Sequence, residues 1–332
     1  MFATAEMIRR WNENGRAFIP YVGPTAPSSF TGSNLILVGA TVETAVVMEW
    51  GVDGYGVKSV CTRHIIIDTD WWTDVDDAVA MRIAAWAEGT GKIVIDAIIM
   101  DAFAPKHPES LDAYLLTEGI SNVPLGVDAA ATDFTGSPPY QARLCGMRHL
   151  RGSAATLETG VSLYRRVLAN SLNAIEIVSI GYLNVIADLL ASPADSISPL
   201  TGIDLVRERC KKMWVMGGNW PSGSENNFTR NSRSRVAANY VVSNCPVPIT
   251  FLGNEVGATV VTGGNLTSTD DPLHMALVDH GSSSGRSSWD PMCLLLAIDG
   301  DAASGGYYSV RGTATVSAST GANTFTPDPY GP

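Results

Sequence analysis

The segment Ile65-Ile-Ile-Asp68-Thr-Asp70-Trp-Trp-Thr-Asp74-Val-Asp76-Asp77 constrains this chain more than any other. Its apolar start reads as a short strand buried on both faces, the kind that parallel sheets bury between helices. Five carboxylates, at 68, 70, 74, 76 and 77, follow directly. Like charges at that density repel and raise one another's pKa. Asp76 and Asp77 open an apolar helical stretch, and a helix N-terminus favours acids there. A bound cation is the simplest compensation for the rest. Oxygen-only ligands point to Ca²⁺ or Mg²⁺ rather than zinc. The alternative is a solvated acidic turn capping the helix.

Beyond this point strands and helices alternate. Strands are expected at 92–100, 123–127, 174–180, 212–216 and 248–252, and helices at 76–87, 108–118, 154–170, 184–191 and 234–243. The alternation predicts an α/β fold with a mainly parallel sheet flanked by helices, Rossmann-like in kind. Ligands of such sheets sit outside the carboxyl ends of the strands, where the acids fall. Residues 1–60 differ. Two β segments, at 34–39 and 44–50, follow a stretch rich in Gly, Pro, Ser and Asn, and Gly51, Gly54 and Gly56 mark a loop. The expected organisation is a β-rich N-terminal appendage over 1–60 and a catalytic domain over 61–332.

The formal net charge of −11 disfavours a nucleic-acid polymer as partner. No apolar run reaches the ~20 residues of a membrane span. The N-terminus lacks the basic-then-apolar pattern of a secretion signal, so the expectation is a cytoplasmic protein with no membrane partner. Cys61, Cys145, Cys210, Cys245 and Cys293 form no CxxC pair and read as reduced, buried side chains.

The strand, Asp-x-Asp and paired Asp-Asp resemble the N-terminal motif of nucleoside hydrolases, in a subgroup with a longer loop, here Trp71-Trp72-Thr73-Asp74-Val75. Three further segments fall in the family's order. Ser179-Ile-Gly181-Tyr-Leu-Asn184 resembles the turn that gives a backbone carbonyl to the metal. Met216-Gly-Gly-Asn219 with Glu225-Asn-Asn227 resembles the ribose-binding stretch, and Trp289-Asp290-Pro291 resembles His-Asp-Pro. The resemblance covers roughly residues 64–315.

The resemblance implies calcium-dependent hydrolysis of the N-glycosidic bond of a ribonucleoside or related riboside. Asp70, Asp77, Asp290 and the Asn184 carbonyl would hold Ca²⁺, with Asp70 also the general base. Asp76, Asp101, Asn219, Glu225 and Asn227 would bind the sugar. Asp68 reads as a brace for the loop or a ligand, and Asp74 as an acid facing solvent. Trp71 and Trp72 either stack on a base or pack inside. By analogy a homo-oligomer is expected.

Two positions depart from the family. Trp289 stands where many members have a histidine that protonates the leaving base, and it would line the substrate site without acting as an acid. Asn231-Ser-Arg233-Ser-Arg235 replaces an acidic stretch, so Arg230, Arg233 and Arg235 either pair with the acid cluster or face solvent. A calcium- and sugar-binding protein without turnover is one alternative. A haloacid-dehalogenase-type phosphatase is another, although Gly300-Asp301 lacks the second acid such enzymes need.

Overall fold

The computed structural model describes residues 62–128, 130–131, 138–151, 156–300, 307 and 309–328, and the backbone of four strands before them. The chain divides into two compact units, Met1–Thr62 and Arg63–Pro332. In the first, β1 (Ala17–Pro20), β2 (Asn34–Thr41), β3 (Thr44–Gly51) and β4 (Gly54–Cys61) form one sheet in that order. The two expected β segments are β2 and β3. The glycine stretch expected to be a loop instead continues as β4, because from Gly54 onward it forms an antiparallel ladder on β3. Glycine weakens a strand, but a paired neighbour overrides that local preference.

The second unit begins with β5 (Arg63–Thr69), α1 (Asp76–Gly89), β6 (Ile93–Met100), α2 (His107–Thr117), β7 (Leu125–Val127) and α3 (Gln141–Cys145). It continues with β8 (Glu158–Thr159), α4 (Gly160–Asn170), β9 (Ile175–Ser179), α5 (Asn184–Ala191), α6 (Gly202–Arg209) and β10 (Cys210–Met216). Then come β11 (Ser222–Gly223), α7 (Asn226–Thr229), α8 (Ser232–Asn244), β12 (Ile249–Leu252), α9 (Asn254–Gly257) and β13 (Val261–Thr262). The last elements are α10 (Pro272–His280), β14 (Arg286–Ser287), α11 (Trp289–Asp299), β15 (Gly312–Val316) and β16 (Asn323–Pro327).

Seven strands form one wholly parallel sheet in the order β12-β10-β9-β5-β6-β7-β8. The side-chain period of two sends Ile65 and Ile67 into one core, with α1, α2, α10 and α11, and Ile66 into the other, with α4, α5, α6 and α8. This is why β5 needs an unbroken apolar run. From β5 the chain builds outward through β6, β7 and β8, then returns to β9 on the other side of β5. That reversal opens a crevice between the carboxyl ends of β5 and β9.

The helix expected over 154–170 begins only at Gly160, where the Thr159 side chain accepts from the Ser162 N–H at 3.3 Å. Glu158 and Thr159 pair with β7 as the sheet edge, and 152–155 lie outside the described residues. Helix α11 has no sequence signature because most of its faces are buried, so no polar stripe marks its period. Among the described residues no helix is long and apolar enough to cross a membrane. Cys145, Cys210, Cys245 and Cys293 are free thiols.

Candidate active site

The crevice is floored by Asp68, which lies in β5 with no exposed surface. Its Oδ2 accepts from the Tyr164 hydroxyl at 2.6 Å, and its carbonyl accepts from Ile180 N at 2.7 Å. Asp68 is thus tied through its side chain to α4 and through its backbone to the residue after β9. Thr69 Oγ1 donates to Asp77.

The loop beyond is fixed on every side. Trp71 holds a left-handed backbone at φ 41°, a rare conformation for a bulky residue that needs support from its surroundings. That support is visible. The Trp71 indole N–H donates to Ser110 Oγ at 2.9 Å, and its carbonyl accepts from Gln141 Nε2 at 2.7 Å. The Tyr140 hydroxyl bonds the carbonyls of Trp72 and Asp74 at 2.9 and 2.8 Å. Both tryptophans are buried, Trp71 against Tyr114 and Tyr140, and Trp72 in a small cluster with Ala102, Ala104, Ala131 and Tyr182. Packing, not stacking on a ligand base, accounts for both rings.

Asp76 and Asp77 open α1 and Asp290 lies in the first turn of α11, so two helix N-termini converge on one point. Oxygens of Asp76, Asp77 and Asp290 lie within 4.8 Å of one another, all buried. This tight trio contains Asp76, expected on the sugar, and not Asp70. Asp70 stands beside it; burial, then the charges of Asp76 and Asp74, push its carboxyl up to about 7. Burial and mutual repulsion raise Asp76, Asp77 and Asp290 well above the usual carboxylate range.

Among the described residues no arginine or lysine forms an ion pair with Asp70, Asp76, Asp77 or Asp290. The nearby cation, Arg286 of β14, is bound to Asp74 at 2.8 and 2.5 Å. Asp74 is thus ion-paired and does not simply face solvent. Arg286 also holds its carboxyl below the usual range, although burial opposes it. A buried all-oxygen cluster without a cationic side chain fits a hard divalent cation.

The loop after β9 closes the other wall. A Cβ on Gly181 would collide with the Asp101 carboxylate and the Asp70 backbone nitrogen, so only glycine allows this approach. Asp101 follows β6, fully buried, and burial together with Asp68 raises its carboxyl well above the ordinary range. Asn184 opens α5. Its Nδ2 reaches the Asp101 carbonyl at 3.5 Å, while its buried Oδ1 has no partner among the described residues.

The third wall is the loop after β10. Glu225 caps α7, accepting from Asn227 N at 2.8 Å and from Gly218 N at 3.2 Å; burial pushes its carboxyl up to about 7. The Asn227 amide donates to the Met216 carbonyl at 3.2 Å. Asn219 is bound through its backbone N–H and carbonyl to the side chain of Asn323, both at 2.9 Å. Trp289 heads α11, and its indole N–H donates to the Asn254 carbonyl at 3.0 Å. Arg233 pairs with Asp128 and Asp188 at 2.5 and 3.0 Å, Arg230 lies over the Trp72 ring at 4.4 Å, and Arg235 donates to the Thr229 carbonyl. None of the three reaches the acid cluster. Tyr164, Arg286 and Asn323 are the site's supports that the sequence did not signal; each meets its partner across about 100 residues or more.

The α/β architecture built on this parallel sheet is one that solved structures share. The inosine-uridine preferring nucleoside hydrolase from Bacillus anthracis matches with a TM-score of 0.58 at 10% identity, over 80% of this chain and 91% of that one. A plant nucleoside hydrolase matches with a TM-score of 0.57 at 16% identity, over 80% of this chain and 87% of that one. The type III effector protein XopQ, complexed with adenosine diphosphate ribose, matches with a TM-score of 0.54 at 16% identity, over 71% and 81%. No protein-family model matches the sequence, and no curated protein matches it. The chain has the nucleoside hydrolase fold.

Proposed function

We propose that this protein hydrolyses the N-glycosidic bond of a ribonucleoside or related riboside, with Ca²⁺ as its metal. The observation that carries the reading is the buried trio Asp76, Asp77 and Asp290 beside Asp70, at the switch-point crevice of this fold. Asp70, Asp77 and Asp290 would hold the cation with the Asn184 carbonyl, and the trio's geometry adds Asp76 to the set. When bound, Ca²⁺ would position and acidify a water.

Asp70, beside the trio, would take that water's proton. Without a cation its carboxyl is pushed up to about 7; a bound cation would lower it and keep it ionised, the form a general base needs. Asp101, Asn219, Glu225 and Asn227, with Asp76, supply acceptors and amides for sugar hydroxyls. The surrounding carboxylates favour the positive charge that develops on the sugar as the glycosidic bond breaks. The indole N–H of Trp289 is committed to Asn254 and is no acid near neutrality, so it gives the leaving base no proton. By analogy with nucleoside hydrolases, the working form is a homo-oligomer, which light scattering would report.

Two other readings fit less well. In a phosphatase of the haloacid-dehalogenase type the first aspartate attacks the substrate, whereas Asp68 has no exposed surface and is held by Tyr164. A sugar binder without turnover has no need of a base at Asp70. The test is release of reducing sugar from purine, pyrimidine and nicotinamide ribosides, with and without a calcium chelator. Chelator-sensitive release supports the proposal. Stoichiometric calcium binding with no release from any riboside overturns it in favour of the binder.

A further inference from the structure

The C-terminal hairpin of β15 and β16 lies outside the motifs that suggested a function, yet it is bound to the Asn219 loop. We infer that Asn323, the first residue of β16, is a positioning residue that holds the Asn219 loop in its sugar-binding geometry; this rests on the function proposed above.

The loop 217–221 makes almost every backbone bond to a partner outside itself. Gly217 N donates to Leu252, Gly218 O accepts from Asn254 at 2.8 Å, Trp220 N donates to Glu255 at 3.1 Å, and Pro221 O accepts from Phe325 N at 2.7 Å. Buried backbone groups demand such partners. At Asn219 one side chain serves both groups. Asn323 Oδ1 accepts the Asn219 N–H and Asn323 Nδ2 donates to the Asn219 carbonyl, each at 2.9 Å.

Only a planar amide offers a donor and an acceptor in that fork. Asn323 is 1% exposed, so no water replaces it easily. Its place is set independently by the ladder of β16 on β11, which pairs Asn323 with Gly223. The Asn219 side chain in turn lies over Gly223, its Cβ 2.9 Å from where a Cβ on that glycine would stand. With its backbone clamped on one side and its amide resting on Gly223, Asn219 has little freedom to leave this position. The hairpin is itself anchored to α8, where Asn239 donates to the Val316 carbonyl at 2.7 Å.

The test compares wild type, Asn323→Ala, Asn219→Ala, the double variant and Thr324→Ala on the best riboside of the panel, with calcium affinity measured by titration calorimetry. Thr324→Ala removes an exposed hydroxyl contact of the hairpin and leaves the clamp. The inference expects KM to rise about tenfold in Asn323→Ala, the worth of one sugar hydrogen bond, with kcat and calcium affinity changed far less. Asn323→Ala should add nothing on top of Asn219→Ala, and Thr324→Ala should match wild type. A KM within twofold of wild type in Asn323→Ala, or full additivity of the two variants, overturns the inference while leaving the proposed function standing. Wild-type protein that binds and cleaves no riboside overturns both.

Discussion

Calcium should stabilise this protein strongly at pH 8 and weakly at pH 5. Two like charges 4.8 Å apart, the outer limit for the trio, repel by about 3.5 kcal/mol at an effective dielectric of about 20. A domain's whole stability is only about 5–15 kcal/mol, so the metal-free cluster either keeps protons or strains the fold. The trio's carboxyls and Asp70 are all raised, Asp70 to about 7. Raised acids leave the metal-free protein stable below their unfolded pKa of about 4, and that stability drains as pH climbs through their folded values. A cation takes over where protons leave.

At about 100 times its Kd, calcium adds roughly 2.7 kcal/mol. With an unfolding entropy near ~2.1 cal/mol/K per residue over the Arg63–Pro332 unit, that raises Tm by about 5 °C. Differential scanning calorimetry with calcium or chelator at pH 5 and pH 8 measures it. Asp290→Asn should raise the metal-free Tm at pH 8, by removing one source of repulsion, and abolish the calcium response. A Tm at pH 8 indifferent to calcium, or a full calcium response in Asp290→Asn, refutes the reasoning.

Other consequences follow from single contacts. Gly181→Ala should lower turnover about 100-fold or more while the chain stays folded by circular dichroism, because the new methyl meets the Asp101 carboxylate and the Asp70 backbone; near-normal turnover would contradict the tight approach. His107 is buried and its pKa is pushed down to about 4. Its neutral form is favoured in the fold, so stability is full above about 6.5 and falls by about 3 kcal/mol as pH drops toward 4. Urea midpoints at pH 7 and pH 5 should show a smaller drop in His107→Gln than in wild type, and equal drops would dismiss the histidine as a cause. Arg286→Ala removes the positive charge beside Asp74 and Asp76. The acid limb of the kcat/KM profile should therefore move to higher pH, and an unmoved limb would show that this ion pair is not felt at the reacting carboxylates.

The sequence by itself determined the layers of the fold and the place of the acid cluster in them. The unbroken Ile65–Ile67 run required a strand covered on both faces, and the alternation after it required a parallel sheet, so acids at that strand's end had to meet a crevice. These are local facts, set by side-chain period and by charges close together in the chain. Tertiary structure alone decided which carboxylates form the tight trio, since Asp290 joins Asp76 only when two helix N-termini meet across 214 residues. The same holds for Tyr164 on Asp68, Arg286 on Asp74 and Asn323 on Asn219. A hydrogen bond between distant segments leaves no period and no spacing in the sequence. It exists only because packing the two cores brings those segments to one place.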